Sequence, residues 1–268
     1  MERAYKYHGL GNDFVLLDRR QGRADIDAST ARALCDRRLG VGADGVLVLL
    51  DSAEAALRMV VHNADGSVAE MCGNGIRCVV KHFVDHSAKR PEDVPIATDA
   101  GLRVCRVRYS GTEVADVEVE MGAARFGNWV DAPVPGHPGV RGTIVSVGNP
   151  HLVLFDRPPE EAQALGGALE RHPAFPQRTN VEWVRAAAGG LEVVVWERGV
   201  GFTQACGTGA CASAAAAVRL GRAPAGEWLS ISLPGGRLEV QVAPDFSSTR
   251  LRGPAAFAFE ALLPAGAA

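Results

Sequence analysis

The sequence predicts an α+β protein made of two pseudo-symmetric domains that arose by internal duplication. Three observations carry this. Two halves repeat at an offset of 134 residues, short β-branched runs outnumber helical ones, and each half has one helix opened by Cys-Gly-x-Gly. The window Leu57–Arg77 (LRMVVHNADGSVAEMCGNGIR) slides without a gap onto Leu191–Cys211 (LEVVVWERGVGFTQACGTGAC). Leu57 meets Leu191, Val60 and Val61 meet Val194 and Val195, Cys72 meets Cys206, and Gly73 and Gly75 meet Gly207 and Gly209. With small slips, Gly11-Asn12 faces Gly148-Asn149, and FVLLD at 14–18 resembles LVLFD at 152–156. GLRV at 101–104 and GGRL at 235–238 mark late strands in each half.

In chain order, alternation and β-branched content place strands at about 3–8 and 13–18. A helix follows over 28–39, with Asp27 and Ser29 as candidate caps. Strands at 45–50 and 57–62 lead to a helix at 74–86, then to strands at 102–109 and 113–121. The Gly- and Pro-rich stretch 124–141 reads as the connection between domains. The second half repeats the pattern: strands at 142–147 and 151–155, a helix at 159–170, and strands at 180–185 and 191–196. A helix at 207–220 and strands at 228–233, 237–243 and 249–253 complete it. The 207–220 helix is Ala- and Val-rich on several faces, so it is expected to be buried, with the sheet of its domain wrapped around it. The domains are expected at 1–120, completed by a C-terminal strand at about 255–268, and at 121–254.

Composition narrows the function classes. A net charge of −3 over 268 residues does not ask for nucleic acid or an anionic membrane as partner. The longest aliphatic run, Val46–Leu50, is far short of a membrane span. The N-terminal MERAYKYHGLGNDF has no apolar signal core, and a cytoplasmic location is the expectation. In that setting six cysteines are expected reduced rather than bridged. Lys6, Lys81 and Lys89 are the lysines, and none sits in a phosphate-cradle context, which argues against a pyridoxal enzyme.

The chemistry concentrates at the paired motif. A cysteine that opens a helix lies at the positive end of the macrodipole, among N–H groups without intrahelical partners. This predicts thiol pKa values for Cys72 and Cys206 lowered from about 8.5 toward neutrality. Glycines at +1 and +3 leave the backbone open to an anion. With the halves packed pseudo-symmetrically, the two sulfurs are expected to face each other across an interdomain cleft. Two thiols around one anion site suit the inversion of a stereocentre. A thiolate removes the α-proton of an amino acid on one face, and a thiol returns a proton on the other. The carboxylate, held by the helix N-termini, takes up the developing charge. Contacts of about 3–3.5 Å put the sulfurs roughly 7 Å apart, and no cofactor is required.

Each residue also has a blander reading. A lone cysteine is usually inert and buried, and Cys35, Cys78, Cys105 and Cys211 keep that reading. The spacings from Cys72 to Cys78 and from Cys206 to Cys211 are not those of a structural zinc knuckle, so no metal is expected. An asparagine after glycine is more often a turn former than a ligand. The matched placement of Asn12 and Asn149 moves both toward binding. Arg198, at a strand end eight residues before Cys206, reads as a carboxylate clamp. His151 alone reads equally as a strand histidine, and the other histidines receive no role.

The motifs HGLGNDF at 8–14, GVGADG at 40–45, NADGS at 63–67, MCGNGIRC at 71–78, GNPH at 148–151, ERGVG at 197–201 and ACGTGAC at 205–211 together resemble the diaminopimelate epimerase family. That resemblance covers nearly the whole chain. It implies cofactor-independent interconversion of LL- and meso-diaminopimelate, and domains that are each a barrel-like sheet around a helix. It also implies a homodimer, with contact through the Phe259 region. By this resemblance Cys72 and Cys206 are the acid/base pair, and Gly73, Asn74, Gly207 and Thr208 hold the reacting carboxylate through the backbone. Asn12, Asn63, Asn149, Asn180, Glu197 and Arg198 bind the rest of the substrate, and His151 and Glu197 assist the cysteines.

Three positions depart from the family: Gly45 and Phe202 stand where some members have glutamine and glutamate, and Phe259 where a tyrosine is linked to dimer contact. Proline or hydroxyproline racemases are the rival within this fold, but they usually carry histidine at the place of Asn74. A thiol-redox or metal-binding protein is the rival from another class.

Overall fold

The computed structural model describes residues 1–264. The chain divides into one unit of Met1–Val119 with the residues from Gly253 on, and a second of Glu120–Arg252. In the first unit β1 (Glu2–Gly9) pairs antiparallel with β2 (Asn12–Asp18). After α1 (Ala28–Cys35), β3 (Gly45–Leu50) runs parallel to β2, and β4 (Leu57–Asn63) returns antiparallel. The short β5 (Val68–Ala69) folds back on β4 and leads into α2 (Gly73–Asp85). Then β6 (Asp93–Thr98) lies parallel to β4, and β7 (Gly101–Ser110) and β8 (Glu113–Gly122) continue antiparallel.

The second unit repeats this order. The short β9 (Arg125–Phe126) and β10 (Ala132–Pro133) both pair with β11 (Arg141–Ser146), and β11 pairs antiparallel with β12 (Pro150–Phe155). After α3 (Glu161–Glu170), β13 (Asn180–Ala187) runs parallel to β12, and β14 (Gly190–Glu197) is antiparallel to it. A short β15 (Gly201–Phe202) folds onto β14 before α4 (Gly207–Arg219). Next β16 (Trp228–Leu233) lies parallel to β14, followed by antiparallel β17 (Gly236–Val242) and β18 (Thr249–Gly253). The last strand, β19 (Ala256–Leu263), pairs antiparallel with β1 and so belongs to the first unit. Both units thus insert parallel steps at the same two places, which is the structural signature of the duplication.

Each central sheet is covered on both faces. On one face Val15, Leu17, Val46, Val48 and Val60 pack against Ala31, Leu34 and Cys35 of α1. Leu152, Leu154, Val181 and Trp183 pack likewise against Ala162 and Leu169 of α3. The other face receives the Cys-Gly helix: α2 packs against β1–β4 and β19, and α4 against β11–β14, β16 and β17. Ala210, Cys211, Ala212 and Ala214–Ala217 are almost wholly inaccessible, as a helix apolar on every side requires. Sheet and helix on both faces explain why strand residues here are buried in runs rather than alternately.

Some elements differ from expectation for local reasons. The first helix stops at Cys35 because the Asp36 carboxylate accepts from the N–H groups of Arg38 and Leu39, turning the chain. Its start is as expected, with Asp27 capping Thr30 N at 2.7 Å. Strand β6 escapes the pattern because Pro95 sits inside it. The stretch 124–141, read as a connection, contributes β9 and β10 to the second unit. Of the expected C-terminal strand at 255–268, β19 accounts for Ala256–Leu263, and 265–268 lie outside the described residues.

Candidate active site

In the first unit the extended backbone of Cys72 (φ −135°, ψ 115°) makes it the N-cap of α2, and its Sγ accepts from Gly75 N at 3.3 Å. Glycine at 75 lets α2 sit close on β3: a Cβ there would lie 2.8 Å from Leu47 Cδ2, and that side chain would have to shift. Asn74, in the first turn, donates through Nδ2 to Asn12 Oδ1 at 3.0 Å, and Asn12 Nδ2 donates to Asp44 Oδ2 at 2.8 Å. Arg37 holds the other Asp44 oxygen at 2.7 Å. Asn63 closes the NADGS turn, donating to Ser67 Oγ at 2.9 Å and accepting from Gly66 N. At Gly45 a Cβ would come within 2.7 Å of His62 O, so this strand position has no room for a side chain.

The second unit builds the same cap at Cys206 (φ −124°, ψ 112°), whose Sγ accepts from Gly209 N at 3.3 Å. Around it the surroundings are polar and enclosed. Thr208 Oγ1 lies 3.5 Å from the sulfur, and Asn149 Nδ2 donates to that hydroxyl at 3.2 Å. Asn149 Oδ1 faces His151 Nε2 at 2.9 Å, and His151 Nδ1 meets Glu182 Oε1 at 2.6 Å. His151 and Glu182 are both fully inaccessible. Glu197 bonds Cys206 and accepts from Thr203 Oγ1 at 2.6 Å, and burial raises its carboxyl pKa despite those bonds. Asn180 is buried and braces the neighbouring backbone. Its Nδ2 donates to Pro150 O at 2.9 Å, and its Oδ1 accepts from Arg198 N at 2.9 Å. The Arg198 side chain stays exposed and reaches Gln177 O.

The helix-dipole expectation fails at Cys206. Burial, then the Glu197 carboxylate, push this thiol well above its ordinary value, against the donors Thr208 and Gly209. The magnitudes explain the outcome. A helix terminus is worth about 0.3–2 kcal/mol, whereas burying a charge shifts a pKa by up to about 3–5 units. Cys35 is pushed up to about 11, and Cys78 and Cys105 to about 12, each by burial. Phe202 rests its ring against Trp196, centroids 5.2 Å apart, and it is Thr203 that bonds Glu197.

The residue that the motifs did not single out is Glu182. It sits inside an apolar strand (NVEWV), where its face was unmarked. Its signal was the repeat itself. Pairing sets Gly45 opposite Phe14 and Asn180 opposite His151, so Leu47 and Glu182 hold matching places. A Cβ on Gly209 would lie 3.0 Å from Glu182 Oε1, as one on Gly75 would meet Leu47. Among the described residues no three His, Cys, Asp or Glu side chains converge as a metal site requires.

A family model described as diaminopimelate epimerase matches residues 4–127 and 143–258. A diaminopimelate epimerase of Desulfitobacterium hafniense is 40% identical over 276 residues, spanning 96% of each chain. One of Desulforudis audaxviator is 43% identical over 272 residues, spanning 95% of this chain and 96% of its own. Among solved structures, a predicted epimerase of Pseudomonas aeruginosa aligns with a TM-score of 0.76 at 20% identity, over 98% of this chain and 99% of that one. A hydroxyproline epimerase of Agrobacterium vitis aligns with a TM-score of 0.73 at 16% identity, over 97% and 91%. At such identities these structures speak for the fold alone.

Proposed function

The chain belongs to the diaminopimelate epimerase family, and we infer from this membership that it interconverts LL- and meso-2,6-diaminopimelate in lysine and peptidoglycan precursor synthesis. The observation that carries the reading at the site is the twinned one. Two cysteines cap two helices, each followed by Gly-x-Gly, in a chain similar over nearly its whole length to named epimerases.

Cys72 and Cys206 are the proposed acid–base pair. One sulfur, as thiolate, takes the α-proton, and the electron pair of the broken C–H bond passes into the adjacent carboxylate. The other, as thiol, delivers its proton to the opposite face, and the enzyme is left with the two roles exchanged. Backbone N–H groups of Gly73, Asn74, Gly207 and Thr208 hold the reacting carboxylate, where helix N-termini favour the developing charge. Burial and Glu197 hold the proton on Cys206 in the ligand-free protein, which suits it as a resting acid. The Arg198 fork suits the distal carboxylate of the substrate. Asn12, Asn63, Asn149 and Asn180 serve its remaining polar groups or brace the chain that does. His151 and Glu197 act on Cys206. The scheme needs no cofactor.

The test is incubation of reduced enzyme with LL-diaminopimelate in heavy water, without added cofactor. The expected product is the meso isomer carrying deuterium at one α-carbon. Absence of exchange by folded, reduced enzyme sinks the reading. Cys72→Ala and Cys206→Ala are each expected to abolish epimerisation. No helix among the described residues is long and apolar enough to cross a membrane. A cytoplasmic homodimer, joined through the Phe259 strand, completes the proposal; it is supported by the exposed rings of Phe257 and Phe259.

A further inference from the structure

Resting on the epimerase reading, we propose that Glu182 is a positioning residue for Cys206. From beneath α4 it fixes the direction in which hydrogen bonds through His151, Asn149 and Thr208 donate to the sulfur. The direction follows from the donor inventory. Asn149 Oδ1 is an acceptor 2.9 Å from His151 Nε2, so Nε2 carries a proton. His151 Nδ1 and Glu182 Oε1, 2.6 Å apart, then share one further proton. Whether that proton rides on the ring or the carboxyl, the pair is neutral overall and Nε2–H is locked. In this arrangement the amide nitrogen of Asn149 faces Thr208 Oγ1, at 3.2 Å. The threonine hydrogen is left for Cys206 Sγ, at 3.5 Å, and meets the thiolate when the thiol has given up its proton.

The first unit shows what changing the anchor does. Asn12 holds the place of Asn149 there, and Asn74 that of Thr208. The anchor is Asp44, a carboxylate that accepts. Asn12 accordingly turns its amide nitrogen to Asp44 at 2.8 Å and its carbonyl to Asn74 at 3.0 Å. Donation runs away from the helix start in one unit and toward it in the other. Beneath α2 the place of Glu182 is taken by Leu47, and that of His151 by Phe14. A leucine is thus sufficient for packing at this position of the repeat. Glu182 is fully buried, and its Oε2 has no hydrogen-bond partner among the described residues. Such a group costs stability, so its presence asks for a role beyond filling space. The titratable groups around it are His151 from β12, Glu197 from β14 and Cys206 from α4.

Two variants separate positioning from packing. Glu182→Leu installs the residue that the repeat itself carries at 47, so it fits the site while removing the lock on His151. Glu182→Gln offers an amide N–H to Nδ1, which keeps the proton on Nε2 and the relay intact. Partners that orient a histidine at metal sites are worth about 10–100-fold in activity. A loss of that order in kcat is expected for Glu182→Leu, in both directions of epimerisation, with KM nearly unchanged. Glu182→Gln is expected to keep most of kcat. Thr208→Val cuts the last link, so adding Glu182→Leu to it should cost nothing more, whereas independent effects would add.

A folded Glu182→Leu enzyme with wild-type kcat overturns the proposal. So does a Glu182→Gln enzyme as damaged as Glu182→Leu, or additive losses in the double variant. A second readout needs no variant to fold: ¹⁵N NMR of histidine-labelled wild-type protein should show His151 Nε2 protonated throughout the active pH range. An unprotonated Nε2 overturns the relay even if the enzyme is active. Lack of exchange in the wild type would instead count against the epimerase reading, leaving the NMR result to stand by itself.

Discussion

At Cys206 two influences oppose each other. Gly209 N and the Thr208 hydroxyl favour the thiolate, while burial and Glu197 favour the thiol and prevail. Removing the negative charge in Glu197→Gln stabilises the thiolate relative to the thiol. The midpoint of Cys206 alkylation by iodoacetamide, followed site by site by mass spectrometry, should therefore move to lower pH, by about one unit. A midpoint that stays or rises would contradict this account. The other buried thiols have a consequence for stability. Cys35, Cys78 and Cys105 keep their protons in the folded state up to about pH 11 or 12, but release them near 9 when unfolded. Above pH 9 the unfolded chain thus binds fewer protons than the folded one. Stability present below that pH is lost as pH rises toward the folded values. Urea unfolding between pH 8 and 10.5 should show this fall, and Cys105→Ala should reduce its slope by about one proton. An unchanged slope would place the alkaline lability elsewhere. The burial of Cys35, Cys78, Cys105 and Cys211 was legible because a small sulfur residue in an apolar run is usually packing. Glu182 was not, because alternation assigns a face to a strand residue without saying what covers that face.

Between residue and domain, the elements owe their placement to a few braces. Asn180, at the start of β13, joins the entry to β12 through Pro150 O and the end of β14 through Arg198 N. Asn180→Ala orphans both groups, at about 1–3 kcal/mol for each that stays buried. It also frees the backbone that aims Arg198. The expected result is a lower urea midpoint together with a raised KM and a smaller change in kcat. A variant of unchanged stability and KM would show that the brace is dispensable. Strands such as β3 and β16 were legible to the residue, β3 as a continuous apolar run and β16 from its alternation. Where a single side chain overrides the pattern, the reading failed. Asp36 ends α1 early by capturing two backbone N–H groups, and Pro95 hides β6, whose partners are set by the distant β4 and β7.

At the scale of the whole molecule, duplication was legible because backbone-determining residues were kept: the capping cysteines, the helix glycines and the Gly-Asn turns. What the copies do differently lies in side chains free to diverge within that frame, Phe14 against His151 and Leu47 against Glu182. The duplication leaves the exposed side chains of the C-terminal strand β19 unexplained. It completes the first unit by pairing with β1, yet Phe257, Phe259 and Leu262 remain 48%, 46% and 62% exposed. Large exposed apolar side chains offer area for association, with Phe257 opposite Tyr7 and Phe259 opposite Lys6. The proposed homodimer would cover them. Sedimentation velocity at micromolar concentration should then find wild-type dimers, and Phe257→Ser with Phe259→Ser should give monomers of unchanged circular dichroism. A wild type that sediments as a monomer removes the proposal. A double variant that stays dimeric moves the contact to another surface, and the aromatic pair would then need a different occupant.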